Sequence, residues 1–186
     1  MGLTIGIVGG GLMGCLAALT FAKRGERVVL FERRDRLMAG ASAGNEGKLH
    51  HGFTYGMDRT GDTRAVMHRF GTRFLPVLER LFDRRLGELV LHRRQIYALH
   101  RDTRLDEAEA EIHMSGMASL LRPNGRHVTG DGQQTVVRLD PDELAGRFSG
   151  LVTAAWDVAE PSLDCPALMQ LVTQAVAESD GIDIRT

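Results

Sequence analysis

The sequence predicts an α/β fold: a parallel-sheet domain built on a βαβ unit and interrupted by the start of a second, α+β domain. Three observations predict it. Leu3, Ile5, Ile7 and Val8 form a short β-rich apolar run that ends in three consecutive glycines, Gly9 to Gly11, with a helical pattern directly after. Arg27 to Phe31 is a second such run, which completes strand–helix–strand in about 30 residues. Helix followed by strand returns at the far end, where Cys165 to Glu178 reads as helix and Ile182 and Ile184 begin a strand. The expected organisation is therefore a first segment of the nucleotide domain over residues 1–85, part of a second domain over 86–139, and a further segment of the first over 140–186.

The apolar first run predicts a strand buried in a parallel sheet. Leu12 to Arg24 follows as a helix, with Leu12, Leu16 and Leu19 on one side, Ala17 and Ala18 for close approach, and Gly25 to end it. The second strand closes at Glu32. Ala39 to Gly61 is rich in glycine and has no period, and a loop of that length in a compact domain usually carries function. Arg64 to Arg84 predicts a helix with Val66, Phe70, Phe74, Val77, Leu78 and Leu81 on one stripe, kinked or broken at Pro76. Leu89 to Leu99 reads as a strand, and Thr103 to Leu121 as a helix with Thr103 and Asp106 at capping-box spacing. Pro123 to Gly132 is a turn-rich connection. Asp140-Pro141-Asp142-Glu143 combines an N-cap, a proline at the first helical position and acids in the first turn. Leu151 to Val158 is the next strand, with Trp156 packing against the sheet, and Asp164 caps the helix from Cys165.

Of the 186 residues, 43% are hydrophobic and 25% charged, enough apolar material for a sizeable core. A net charge of −1 gives no reason to expect a nucleic acid partner. Leu3 to Ala22 lacks charge, but five glycines interrupt it and no basic residue precedes it, so neither a membrane span nor a leader is expected. Met1-Gly2 is followed by Gly6 where a myristoylation motif needs Ser or Thr. A cytoplasmic, reduced protein is expected, with Cys15 and Cys165 as free thiols. The seven histidines show no metal-site spacing. Positive charge is almost all arginine, the lysines being Lys23 and Lys48, which reads as base composition.

Gly9, Gly11 and Gly14 form a G-x-G-x-x-G fingerprint. Gly9 permits the tight turn out of the strand, Gly11 lets the backbone touch a pyrophosphate, and Gly14 lets helix and strand pack closely. The pyrophosphate would lie on the helix N-terminus, on the free N–H groups around Leu12 and Met13. Glu32, 18 residues after Gly14, stands where an acid accepts hydrogen bonds from ribose hydroxyls. A glycine-rich turn without a ligand is the competing reading; the strand before, the helix after and the acid argue against it. A Rossmann-like dinucleotide site follows. A carboxylate at this point disfavours a 2′-phosphate, hence NADP. Arg33 and Arg34 flank the adenine, reach a phosphate, or lie solvated at the strand end. The fingerprint alone does not separate FAD from NAD.

The next segment separates them by resemblance. From Gly40 to Tyr55 the chain reads G-A-S-A-G-N-E-G-K-L-H-H-G-F-T-Y. This resembles the D-amino-acid-oxidase-like superfamily of FAD-dependent oxidoreductases, most of all its 2-hydroxyglutarate branch. Asn45, Gly47, His50, Gly52 and Tyr55 match that branch, while Glu46 and Lys48 depart from it. The likeness extends through Pro161 to Leu171. It implies FAD as cofactor, Ser42 on the pyrophosphate, and Asn45, Glu46, Gly47, Lys48 and Leu49 beside the isoalloxazine ring. The residues agree, since Gly44 and Gly47 let backbone N–H groups approach a flat ring. His50 and His51 are candidates near the flavin, against plain packing or exposure. Relatives with covalent flavin carry a histidine at the position matched by Asn45, so non-covalent FAD is expected. The implied activity is oxidation of a C–H bond next to an amine or hydroxyl, with a small amine or 2-hydroxy acid as substrate and flavin as hydride acceptor. The alternative is a non-catalytic or truncated module binding FAD or NAD. Prepared alone, these 186 residues are expected to be inactive.

Overall fold

The computed structural model describes residues 3–121 and 134–186, so the expected turns over Pro123 to Gly132 lie outside the described residues. The chain forms two compact units. One comprises residues 1–47, 78–89 and 163–186; the other comprises 48–77 and 90–162.

The first unit holds a three-stranded parallel sheet in the order β1 (Thr4–Val8), β2 (Arg27–Phe31), β8 (Ile182–Arg185). Helix α1 (Leu12–Ala22) joins β1 to β2 and packs against α5 (Cys165–Ala177). Cys15, Ala18, Val28, Leu30, Leu168, Val172 and Val176 are buried there. Asp164 caps α5 as expected, accepting the Ala167 N–H at 2.9 Å. The expectation of a buried first strand is corrected. Val8 is 89% exposed and Thr4 and Gly6 are exposed, because β1 is an edge strand and the helices cover one face of the sheet. Phe31 and Ile184 are also exposed.

The second unit is built on an antiparallel sheet in the order β4 (Gln95–His100), β6 (Val152–Val158), β5 (Val136–Arg138). Helix α3 (Glu107–Leu120) packs over it, burying Ala110, Met114 and Met117 with Phe53, Leu99, Ala154 and Val158. Trp156 joins this core at 1% exposure, and its indole N–H donates to Glu111 at 3.2 Å. Two expectations here are corrected. The strand over Leu89 to Leu99 is two strands, β3 (Val90–His92) and β4, separated at Arg93 and Arg94. Arg94 points its guanidinium at Asp157 (2.8 Å), so the break places a cation on the neighbouring strand. Helix α3 starts later than Thr103: the cap is Asp106, whose carboxylate accepts the Glu109 N–H at 2.7 Å while Glu109 reaches back. The same box, Asp140 with Glu143, starts α4 (Pro141–Arg147), and the two-residue strand β7 (Ser162–Leu163) follows β6.

Of the kink or break expected at Pro76, the break does not occur: helix α2 (Asp62–Phe82) continues through Pro76, and the division between units falls just after it, between Val77 and Leu78. Its stripe is not a buried one: Val66, Phe70 and Val77 are exposed, and Leu78 is the buried member. The glycine-rich segment Ala39 to Gly61 contains two short 3₁₀ turns, Ala41–Gly44 and Phe53–Tyr55. Among the described residues no helix is long and apolar enough to cross a membrane.

Candidate cofactor site

Strand β1 ends at Val8, and Gly9 turns the chain with φ +104° while its N–H donates to the Phe31 carbonyl at 2.7 Å. Gly14 sits so close beneath this turn that a Cβ on it would lie 1.9 Å from the Gly9 carbonyl oxygen. The third glycine of the fingerprint is thus required by packing. Gly11 is the N-cap of α1 and offers no side-chain cap. The Ser42 hydroxyl supplies one from a distant loop, accepting the Leu12 N–H at 3.0 Å. Met13 follows in the first helical turn, its side chain exposed. First-turn N–H groups lack helical acceptors and carry the positive end of the helix dipole, which suits a pyrophosphate.

Glu32 closes the cradle. One carboxylate oxygen accepts the Gly10 N–H at 2.7 Å and the other the Arg34 N–H at 3.0 Å. These two backbone donors, Gly10 first, hold its carboxyl below the ordinary carboxylate range. A carboxylate accepts further hydrogen bonds, so Glu32 keeps acceptor capacity for hydroxyl donors. Val8, Gly9, Gly11, Phe31, Glu32, Arg33, Arg34, Ser42 and Arg185 line a cavity of about 600 Å³, a volume that accommodates a nucleotide. Sequence reasoning missed Gly10, which has no place in the fingerprint, and Arg185, which only the pairing of β8 with β2 brings here. Cys15 is fully buried behind the turn; burial, helped by the Glu32 charge, pushes its thiol up to about 11.

The segment Asn45 to Gly47 is shaped within the same unit. The Asn45 side-chain carbonyl accepts the Gly47 N–H at 2.7 Å, and Gly47 adopts φ +76°. A Cβ there would lie 2.3 Å from the Leu163 carbonyl oxygen. Leu163 N–H in turn donates to the Gly47 carbonyl at 2.9 Å. The Cys165 thiol lies 3.9 Å from Asn45 Oδ1, a contact that spacing could not reveal. Asn45 and Glu46 are exposed, while Gly47 is buried.

Lys48, Leu49, His50 and His51 belong to the second unit. His51 is 4% exposed; its Nδ1–H donates to the Ala159 carbonyl at 3.2 Å. Burial pushes the imidazole down to about 4, so it is neutral at pH 7. Among the described residues no cluster of three His, Cys, Asp or Glu side chains could hold a metal ion.

A parallel βαβ unit with an anion cradle on the first helix and an acid after the second strand defines a dinucleotide-binding fold. The chain belongs to the FAD dependent oxidoreductase family, whose model matches residues 4–186. It is 42% identical over 130 residues to the FAD-dependent monooxygenase FPY4 of Fusarium mangiferae, covering 68% of this chain and 33% of that protein. It is 32% identical over 167 residues to the FAD-dependent monooxygenase kojA of Aspergillus flavus, covering 87% of this chain and 32% of that protein. In fold it is similar to glycine oxidase from Geobacillus kaustophilus, with TM-score 0.65, 22% identity, and coverage of 97% of this chain and 45% of that one. The dithionite-reduced L-alpha-glycerophosphate oxidase from Mycoplasma pneumoniae, with FAD bound, is similar at TM-score 0.65 and 19% identity, covering 99% and 45%. The chain thus spans about a third of the length of the curated relatives and under half of these solved structures.

Proposed function

We propose that the chain is the FAD-binding part of an enzyme that oxidises a C–H bond next to an amine or hydroxyl by hydride transfer to flavin. The observation that carries this reading is the cradle of the first unit: Gly9, Gly11, Leu12, Met13, Gly14 and Ser42 around the α1 N-terminus, with Glu32 beyond it. Those residues fit FAD. Gly14 has no room for a side chain, Gly11 leaves the helix end open, and the cavity has the volume for the adenosine end. Ser42 holds the helix terminus and keeps its hydroxyl hydrogen for a phosphate oxygen; Glu32 takes the ribose; Arg33 flanks the adenine. Asn45, Glu46, Gly47, Lys48 and Leu49 run beside the ring, and His50 or His51 lies near it. Bound FAD supplies the hydride acceptor. The antiparallel sheet of the second unit is read as the beginning of the substrate-side domain.

The substrate is proposed as a small amine or 2-hydroxy acid. Asn45, Gly47, His50, Gly52 and Tyr55 keep 2-hydroxy acids in that class, but the relatives are named monooxygenases and the similar structures are a glycine oxidase and an L-alpha-glycerophosphate oxidase, which do not support narrowing it to 2-hydroxyglutarate. The two monooxygenase relatives favour a second reading, in which an oxygen atom is inserted into the product. The test is to purify the full-length protein, record its visible spectrum, and assay a dye acceptor against amino acids and 2-hydroxy acids. Flavin bands with substrate-dependent dye reduction support the oxidase reading. Flavin bands with label from ¹⁸O₂ in the product support the second. Absence of protein-bound flavin after incubation with FAD and removal of the unbound excess overturns both and leaves a non-catalytic module.

A further inference from the structure

Glu160 is fully buried in the second unit. Its two carboxyl oxygens serve two remote segments. One accepts the backbone N–H of His51 at 2.7 Å, and the other accepts the hydroxyl of Tyr97 on β4. Around it the stretches 48–51 and 159–162 lie side by side. Lys48 pairs with Ser162 as an isolated antiparallel bridge, Leu49 N–H donates to the Pro161 carbonyl at 2.9 Å, and the His51 ring donates to the Ala159 carbonyl. Pro161 has no N–H to extend this ladder. At His51 a side chain takes over the acceptor role a backbone carbonyl would fill.

A carboxyl group removed from water is costly unless its oxygens are hydrogen-bonded, and here both are. Neither donor can be removed without leaving a buried polar group short of a partner. Tyr97 is half-buried and packs against the core, its ring 5.8 Å from that of Phe53 and its backbone paired opposite Trp156. The chain of contacts therefore runs from the rigid sheet, through Tyr97 and Glu160, to the backbone of His51.

We infer that Glu160, held by Tyr97, is a positioning residue that fixes the backbone of residues 48–51. This rests on the reading above that Lys48 and Leu49 run beside the flavin ring. Glu160 touches no cofactor in this account; it sets where the loop lies.

The experiment compares Glu160→Ala, Glu160→Gln and Tyr97→Phe in the full-length protein. Two quantities are read: hydrogen exchange of peptides covering residues 48–52, and the visible spectrum and midpoint potential of added FAD. Gln can accept from His51 N–H through its carbonyl and donate to the Tyr97 oxygen through its amide. Glu160→Ala should therefore speed exchange at His51 roughly tenfold or more, Tyr97→Phe by less, and Glu160→Gln should restore near-native exchange. The flavin spectrum and potential should shift in the same order. Unchanged exchange in folded Glu160→Ala, or in Tyr97→Phe if the first variant fails to fold, overturns the positioning role. Faster exchange with an unmoved flavin spectrum and potential upholds the positioning role and overturns the placement of this segment beside the ring.

Discussion

Glu32 and His51 show how single groups are tuned in this chain. Glu32 is ionised more readily than an ordinary glutamate because the Gly10 and Arg34 N–H groups point at its carboxylate. Replacing it by Ala removes both the proposed ribose acceptor and the brace on the glycine turn. FAD binding should weaken about tenfold or more, checked by titrating FAD into variant and parent and following flavin fluorescence. Equal affinity would exclude Glu32 from the site. His51 has the opposite environment. Its unfolded imidazole takes up a proton near pH 6.5, the folded one only near 4. The unfolded state thus binds more protons within that window, so stability is full above about pH 6.5 and falls as the pH drops toward 4. The loss should amount to roughly 1–3 kcal/mol, seen as a falling urea midpoint, and His51→Gln should flatten the profile.

At the scale of elements, two junctions place the site. The first is the crossing of α1 over the glycine turn. A methyl group at Gly14 meets a backbone oxygen, which cannot swing aside, so Gly14→Ala should cost about 1–3 kcal/mol and weaken FAD binding together. A thermal melt and an FAD titration on the same preparation check this; a variant with native stability would show that the turn has slack. The second is the start of α5. Asp164 caps that helix, and the adjoining Leu163 and Cys165 hold the Asn45 to Gly47 turn. Asp164→Ala should lower stability by about 1 kcal/mol, measured by chemical denaturation. The capping signals at Asp140 and Asp164 were legible in the sequence because they are local. The cap at Ser42 was not, since its partner, Leu12, is thirty residues away.

At the scale of the molecule, the parallel sheet of the first unit has helices on one face only among the described residues. Val8, Phe31 and Ile184 are left exposed, and β1 is an edge. An exposed edge with apolar neighbours invites association. Prepared by themselves, these 186 residues should therefore bind FAD weakly, self-associate, and show no sustained dye reduction with amino acids or 2-hydroxy acids. Light scattering and a turnover assay test this; dye reduction beyond one equivalent per protein would overturn it. Bound flavin should be released by acid precipitation, and colour retained in the pellet would instead indicate covalent attachment.

The sequence by itself determined the βαβ unit, its glycine fingerprint, the acid after β2 and the capped starts of α4 and α5. Each is a periodicity or spacing within about 30 residues, and such signals act through the local backbone. Only the tertiary structure decided which surfaces are covered. Whether β1 is buried depends on neighbours that its own residues do not specify, and Val66, Phe70 and Val77 on the stripe of α2 are exposed for the same reason. It also decided the contacts that cross long stretches of chain: Ser42 on the α1 terminus, Arg185 in the cavity beside Glu32, Cys165 beside Asn45, and Glu160 under His51. Those pairings are set by sheet register and burial, quantities that no window of sequence contains.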